Sequence, residues 1–366
     1  MRIAFVLFML IMPPVLPVAQ TGPPATSTND LARPTLRTPS DGDFLEFDFP
    51  SLYVGTAEYE EGPTGATVFY FPKGAVAAVD VRGGAPGTTN TDWLQLGYGG
   101  LGLDAICFAG GSWYGLEAAS GVRAELLAMK TKNPFEEVAN VAGAIVYDFP
   151  GRANTVYADK ELGRAALRAA RPNRFPLGAR GAGRFVTVGK YLGRDYSERA
   201  GQGGAFRQVG VTKIAVFTVV NALGAIVDRE GKTMRGLRDP RTGARLSQAD
   251  ATRLLIERAA PLPKPAPTPA AHKPMPSNTT LTIVVTNQKL EHWQLRRLAV
   301  QVHSSMGRAI QPFQMQGDGD VLFAATTAEV ENSRLALNTL AILASEAAHD
   351  AVLSSIPRET GSRKTR

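Results

Sequence analysis

Residues 261–286 read PLPKPAPTPAAHKPMPSNTTLTIVVT, and two unlike segments meet at Asn278–Thr279. Seven of the eighteen residues 261–278 are proline, which fixes φ and carries no backbone N–H. Such a stretch enters neither a helix nor a sheet interior, so it predicts an extended, exposed tether. Leu281 to Thr286, by contrast, has the β-branched composition of a buried strand. A Thr at the start of a strand, directly after a tether, is a candidate N-terminal nucleophile. Cleavage of the Asn278–Thr279 bond would free an α-amine of reference pKa about 7.7–8.0. That amine can take the proton of its own Thr hydroxyl. On residue types alone an ordinary strand-start Thr competes with this reading. Asn278-Thr279-Thr280 also matches a glycosylation sequon, which matters only in a eukaryotic secretory pathway.

Outward from this junction, Thr67–Phe71, Val76–Val81, Ala142–Val146, Lys213–Val220 and Val321–Thr326 read as further buried strands. Helical spacing runs through Leu295, Leu298 and Val302, through 330–356, and through 160–170. Strands lie on both sides of the tether, so residues 46–260 and 279–366 are expected to build one layered domain rather than two. Residues 1–19 read as a secretory signal: Arg2, an apolar run from Ile3 to Met12 too short to span a bilayer, a break at Pro13-Pro14, and Ala19 for cleavage. Pro17 is an imperfect fit three residues before the cut. Residues 20–45 lack periodicity and are expected to be a disordered lead-in. A periplasmic or secreted location follows from these ends, with no membrane span left after signal removal.

The 366 residues are 44% hydrophobic and 20% charged, with 37 Gly and 25 Pro, which excludes collagen, a coiled coil and a wholly disordered chain. Cys107 is the sole cysteine, so neither an internal disulfide nor a Cys-based zinc cluster exists. The net charge of +7 is scattered and accompanied by no nucleic-acid-reading motif, so it reads as a solvated surface. Gly97–Gly102 formally matches G-x-G-x-x-G, but Leu103 to Ala109 looks like a strand where a dinucleotide site needs a helix. Gly110-Gly111-Ser112-Trp113-Tyr114 approaches a nucleophile elbow, yet Tyr114 replaces the final Gly. His272, His292, His303 and His349 show no metal-ligand spacing.

Several longer blocks occur in one order: GAVAAVDVRGGAPGT from Gly74 to Thr88 with Thr91-Asp92, AICFAGGSWYGL from Ala105 to Leu116 with Ala118–Val122, and IVYDF from Ile145 to Phe149. Gly181-Ala182-Gly183 with Thr187–Lys190, Val220–Gly224, Asn278–Leu281 and Asp318-Gly319-Asp320 complete the series. Together, over about Phe49 to Ile356, they resemble the DmpA-type self-processing peptidases. That family includes L-aminopeptidase/D-esterases, β-peptidyl aminopeptidases and the nylon-oligomer hydrolase.

The resemblance implies an α/β fold of the α-β-β-α sandwich type, a homo-oligomer (a tetramer), and cleavage after Asn278 that exposes Thr279 as nucleophile. It implies that the Asn221 amide helps hold the oxyanion, and that Lys190 is the active-site lysine. Asp318 and Asp320 would orient the Thr amine and hold Lys190, and Tyr147 would line the substrate cleft. In isolation Asn221 would end a strand, Lys190 would be a surface residue and Asp318-Gly319-Asp320 would make a hairpin turn. The implied activity is hydrolysis of peptide or other linear amide bonds through an acyl-enzyme, without metal or organic cofactor. The Asp-x-Asp pair leans towards the nylon-oligomer branch. His303-Ser304 stands where the family shows a His-Asp pair, so His303 receives no role. A non-catalytic exported binding protein of the same fold is the rival.

Overall fold

The computed structural model describes residues 28–97, 102–129, 138–260 and 278–358. Eight strands carry the architecture: β1 (Tyr53–Tyr59), β2 (Thr64–Val81), β3 (Leu103–Ala109), β4 (Val141–Ile145), β5 (Gln202–Val209), β6 (Thr212–Asn221), β7 (Thr279–Gln288) and β8 (Val321–Val330). Four helices cover them: α1 (Glu117–Met129), α2 (Lys160–Arg168), α3 (His292–Ser305) and α4 (Leu337–Ser354). The strands pair in the order β5-β6-β7-β8-β2-β3-β4, and β1 joins the opposite edge of the first half of β2.

The 18-residue β2 makes two sheets of one ladder. Its first half pairs with β1 and β3, and Val76 to Val81 pair with β8. Between them lies Pro72-Lys73-Gly74, with Gly74 at φ +77° and a register shift between Tyr70 and Ala75. A residue without an N–H followed by one free to turn left-handed forms the corner. The two strands read at Thr67–Phe71 and Val76–Val81 are thus one bent strand.

Bending at that corner lets the two sheets face each other. Phe69 and Phe108 of the first meet Phe217 and Phe323 of the second, with ring centroids 5.4 Å (Phe69–Phe217) and 6.0 Å (Phe108–Phe323) apart. All four rings are fully buried, and burial of each stabilises the fold by roughly 1.5–3 kcal/mol. Helices α1 and α2 pack on the first sheet, α3 and α4 on the second. The layering is α-β-β-α, the sandwich that the resemblance implied. Helix α2 starts where the Asp159 carboxylate accepts the Leu162 N–H at 3.0 Å, a side-chain N-cap.

Strand β7 lies inside the second sheet, antiparallel to β6 and parallel to β8. A parallel neighbour requires a crossover, which α3 supplies. The register places Asn221 opposite Thr279 and Leu281 opposite Val321, and a bridge pairs Asn278 with Asp318. One end of three adjacent strands therefore gathers Asn221, Thr279 and the residues just before β8.

Two sequence readings change. The helix expected from Val330 begins at Leu337, because β8 runs on to Val330 and pairs it with Gln288 before Asn332 turns the chain. The lead-in expected to be disordered over 20–45 is ordered from Thr28. Leu36–Arg37 pairs with β1, Phe44–Glu46 pairs with Arg174–Pro176, and the Asn29 side chain bonds Tyr157 O and Asp159. Composition registers only that this segment lacks a core of its own, whereas here it borrows edges and acceptors from the domain. The signal reading at 1–19 and the body of the tether lie outside the described residues. Among the described residues no helix is long and apolar enough to cross a membrane.

Candidate active site

The Asn278–Thr279 peptide bond is held as an extension of β7. The Asn278 N–H donates to Gly317 O at 2.9 Å, and the Gly319 N–H donates back to Asn278 O at 2.5 Å. Thr279 is fully buried, and its Oγ donates to the same carbonyl oxygen at 2.6 Å. A hydroxyl and a backbone N–H thus converge on one carbonyl oxygen, and the Gly319 N–H is placed to stabilise negative charge that develops there. Gly319 leaves no room for a side chain: a Cβ there would lie 2.7 Å from both Thr279 Oγ and Ala85 O. Backbone from Arg82 to Ala85 covers this turn, with Gly83 N–H on Asp320 O at 3.2 Å and Ala85 N–H on Asp318 O at 2.8 Å. A Cβ on Gly83 would fall 2.2 Å from Asp320 N, so the paired glycines of the RGGA segment serve close backbone approach.

Lys190 reaches the site from a loop pinned by its own N–H on Leu223 O at 2.8 Å. Its Nζ donates to Asn221 Oδ1 at 2.9 Å and to Asn221 O at 3.1 Å. Burial of the ammonium pushes its pKa down to about 7; the Asp318 charge opposes this shift and Arg194 adds to it. The lysine therefore exchanges its proton near neutrality. Asn221 is buried and held on three sides: Oδ1 also accepts the Thr187 N–H at 3.1 Å, and Nδ2 donates to Tyr147 O at 2.9 Å. The amide ascribed to the oxyanion thus has one hydrogen engaged by Tyr147, and the contact to the Asn278 carbonyl comes from Gly319. Tyr147 lines the adjoining pocket and also orients Asn221 through its backbone.

Asp318 and Asp320 precede β8, whose partner β7 is parallel, so they do not form a hairpin turn. Both are fully buried. Asp320 accepts the Thr280 N–H on Oδ1 at 2.6 Å and the Gln314 N–H on Oδ2 at 3.1 Å, while Asp318 Oδ2 accepts the Met315 N–H at 2.9 Å. Burial and then the Asp318 charge push Asp320 well above the usual carboxylate range, and burial raises Asp318 as well. The implied grip of these carboxylates on Lys190 is electrostatic: the hydrogen bonds of its ammonium go to Asn221.

The profile of peptidase family S58 matches residues 47–362. The chain belongs to peptidase family S58. The family assignment makes it a hydrolase of amide bonds and gives no support to the binding-protein alternative. The 6-aminohexanoate-oligomer endohydrolase of Paenarthrobacter ureafaciens is 43% identical to it over 326 residues, 86% of each chain. The β-aminopeptidase of a Burkholderia species shares its fold at TM-score 0.58 and 17% identity, covering 90% of this chain and 91% of that one. So does the L-aminopeptidase D-Ala-esterase/amidase of Ochrobactrum anthropi, a variant of the Ntn-hydrolase fold, at TM-score 0.55 and 14% identity, covering 87% and 88%.

In this S58 chain the residues singled out from the sequence gather at one place: Asn278, Thr279, Asn221, Lys190, Asp318 and Asp320, with Tyr147 behind Asn221. Sequence reasoning missed Gly319, which was read only as the spacer between two acids; its contacts exist only because β7 and β8 run parallel. It also gave His303 no role. His303 is buried, with Nδ1 2.9 Å from Asp80 Oδ2, and this contact ties α3 to β2. Residues 98–101 of the G-x-G-x-x-G match lie outside the described residues. Its flanks are a helix before (Asp92–Leu96) and strand β3 after, the reverse of a dinucleotide fold.

Proposed function

We propose that the protein is a self-processing amidase with Thr279 as its N-terminal nucleophile, dividing into chains that end at Asn278 and begin at Thr279. The observation that carries this reading is the convergence of Thr279 Oγ and the Gly319 N–H on the Asn278 carbonyl, at 2.6 and 2.5 Å. Neutral Lys190 takes the hydroxyl proton as Oγ attacks the Asn278 carbonyl carbon, and returns it to the Thr279 nitrogen as the C–N bond breaks, giving an ester, a free Thr279 amine and neutral Lys190. Gly319 N–H and the remaining Nδ2 hydrogen of Asn221 hold the oxyanion. Water hydrolyses the ester. Turnover repeats these steps on an external amide, with the Thr279 amine and Lys190 relaying the proton while Asp318 and Asp320 set the local charge. The scheme calls on no metal or organic cofactor.

Linear amides are the proposed substrates, in keeping with the 6-aminohexanoate-oligomer endohydrolase that matches over most of both chains. Export through the leader and assembly as a homo-oligomer, a tetramer, belong to the same proposal. Incubating the purified protein with 6-aminohexanoate oligomers and short peptide amides tests it. Thr279→Ala should lose at least about 10³-fold in rate, and Thr279→Ser should retain measurable turnover. Undiminished hydrolysis by Thr279→Ala would refute the assigned nucleophile.

A further inference from the structure

The glycine-rich run at Gly110–Tyr114 has no part in the chemistry above. It folds as a tight turn, pinned by the Gly111 N–H on Asp148 Oδ1 at 2.8 Å and the Ser112 N–H on Val146 O at 3.0 Å. Ser112 holds φ +55°, a left-handed backbone that residues other than glycine rarely adopt. Beyond it Trp113 and Tyr114 stand 69% and 67% exposed. A strained turn that presents two large aromatics to solvent goes against both backbone preference and burial, and such strain gathers at functional sites. Both rings connect to the active site. Tyr147 stands in the wall of a pocket of about 280 Å³ shared with Lys190, Asn221 and Asn278. From it, ring contacts run to Phe149 at 5.8 Å and on to Tyr114 at 6.3 Å between centroids. On the other flank Trp113 lies against Gly87, where a Cβ would fall 2.9 Å from Trp113 Cδ1. Pro86, one residue earlier, backs the turn beside Thr279: a Cβ on Gly319 would fall 3.3 Å from Pro86 Cα. The cation beside these rings, Arg152, lies 4.6 Å from the Phe149 centroid and is paired with Asp148.

Resting on the amidase reading, we propose that Trp113 and Tyr114, continuing from Tyr147 and Phe149, form a shelf for the outer units of a linear oligoamide while one of its amides is cut at Thr279. The inner units of such a chain carry no charge and alternate methylene runs with amides. Aromatic faces take the methylenes, and the Tyr114 hydroxyl offers a hydrogen-bond partner to an amide. A short amide fills the pocket and leaves the shelf uncovered. The shelf therefore selects for chain length and not for the charged group at either end. The pinned Ser112 turn fixes the backbone beneath both rings before the chain arrives, which lowers the ordering cost of binding.

The test measures kcat/KM for the dimer, tetramer and hexamer of 6-aminohexanoate on the processed wild-type enzyme and on a variant carrying both Trp113→Ala and Tyr114→Ala. Wild-type kcat/KM should rise at least about tenfold from dimer to hexamer, mainly through KM, because each covered methylene run leaves water. The double Ala variant should lose most of that rise, and the double Phe variant at the same positions should recover part of it. A wild-type rate that does not rise with length, or a rise unmoved in the double Ala variant, would overturn the shelf while leaving the amidase reading intact. Light scattering on the same samples tests the rival occupant, a second copy of this chain. A double Ala variant that loses its oligomeric state together with its length dependence would assign the rings to an interface between copies and overturn the shelf. Calorimetry with the tetramer reads the shelf without turnover. Tetramer binding that is lost in the double Ala variant, with a wild type that hydrolyses none of these oligomers, would uphold the shelf and sink the amidase.

Discussion

Asp148 and Asp320 are both buried carboxyls at the end of a strand, yet their neighbours differ in sign. Asp148 follows β4 and is bonded by the fully buried Arg152, at 3.2 Å, and by Thr64 and Gly111. Burial raises its pKa, and the Arg152 charge pulls it back. Asp320 precedes β8 and has a second carboxyl, Asp318, as its neighbour, so burial and like charge push it in the same direction. The first is a brace whose removal strands a cation. The second carries two pushes of the same sign beside the Asn278–Thr279 bond, the pattern expected of the catalytic role proposed for it.

The largest way to break this comparison is at Gly319, between the two acids. Gly319→Ala places a methyl against Thr279 Oγ and Ala85 O, and displacement of the Asn278 carbonyl should slow processing by about 10²-fold or more. Chain cleavage followed over time on denaturing gels reads it, and processing at the wild-type rate would contradict the geometry. Next, Asp148→Asn should cost about 3–5 kcal/mol in chemical denaturation, since it leaves Arg152 buried without its counter-charge. Asp320→Asn should lose less stability but slow processing about tenfold or more. If the two variants exchange these signatures, the brace and the site have been confused.

A further effect is that of pH. With its pKa lowered to about 7, Lys190 is protonated below that value and neutral above it. Only the neutral amine can take the Thr279 proton, so the processing rate should climb about tenfold per unit below pH 7 and level off above it. Lys190→Met should lower the rate and flatten the profile. A wild-type rate independent of pH between 5.5 and 8 would remove Lys190 from the proton transfer.

Much of this was legible because the relevant signals are local. The proline run, the β-branched run after Thr279 and the glycine-bounded strands each announce themselves within a few residues. The resemblance then ordered Lys190, Asn221 and the two acids around them. What could not be read depends on register. That Gly319 faces Thr279 follows from parallel pairing of β7 with β8, and that Thr64–Val81 is one strand follows from pairing on both sides of a proline–glycine corner. Ordering at Asn29 and Phe44–Glu46 and the His303–Asp80 contact likewise depend on partners more than a hundred residues away.

The proposed function stands on self-cleavage between Asn278 and Thr279. Intact mass and N-terminal sequencing of the purified wild-type protein, beside Thr279→Ala prepared identically, test it most directly. Two wild-type chains are expected, the second beginning Thr279-Thr280-Leu281, and one uncut chain in the variant. A wild-type protein that stays a single chain on prolonged incubation, or a variant cut at the same bond, would contradict it.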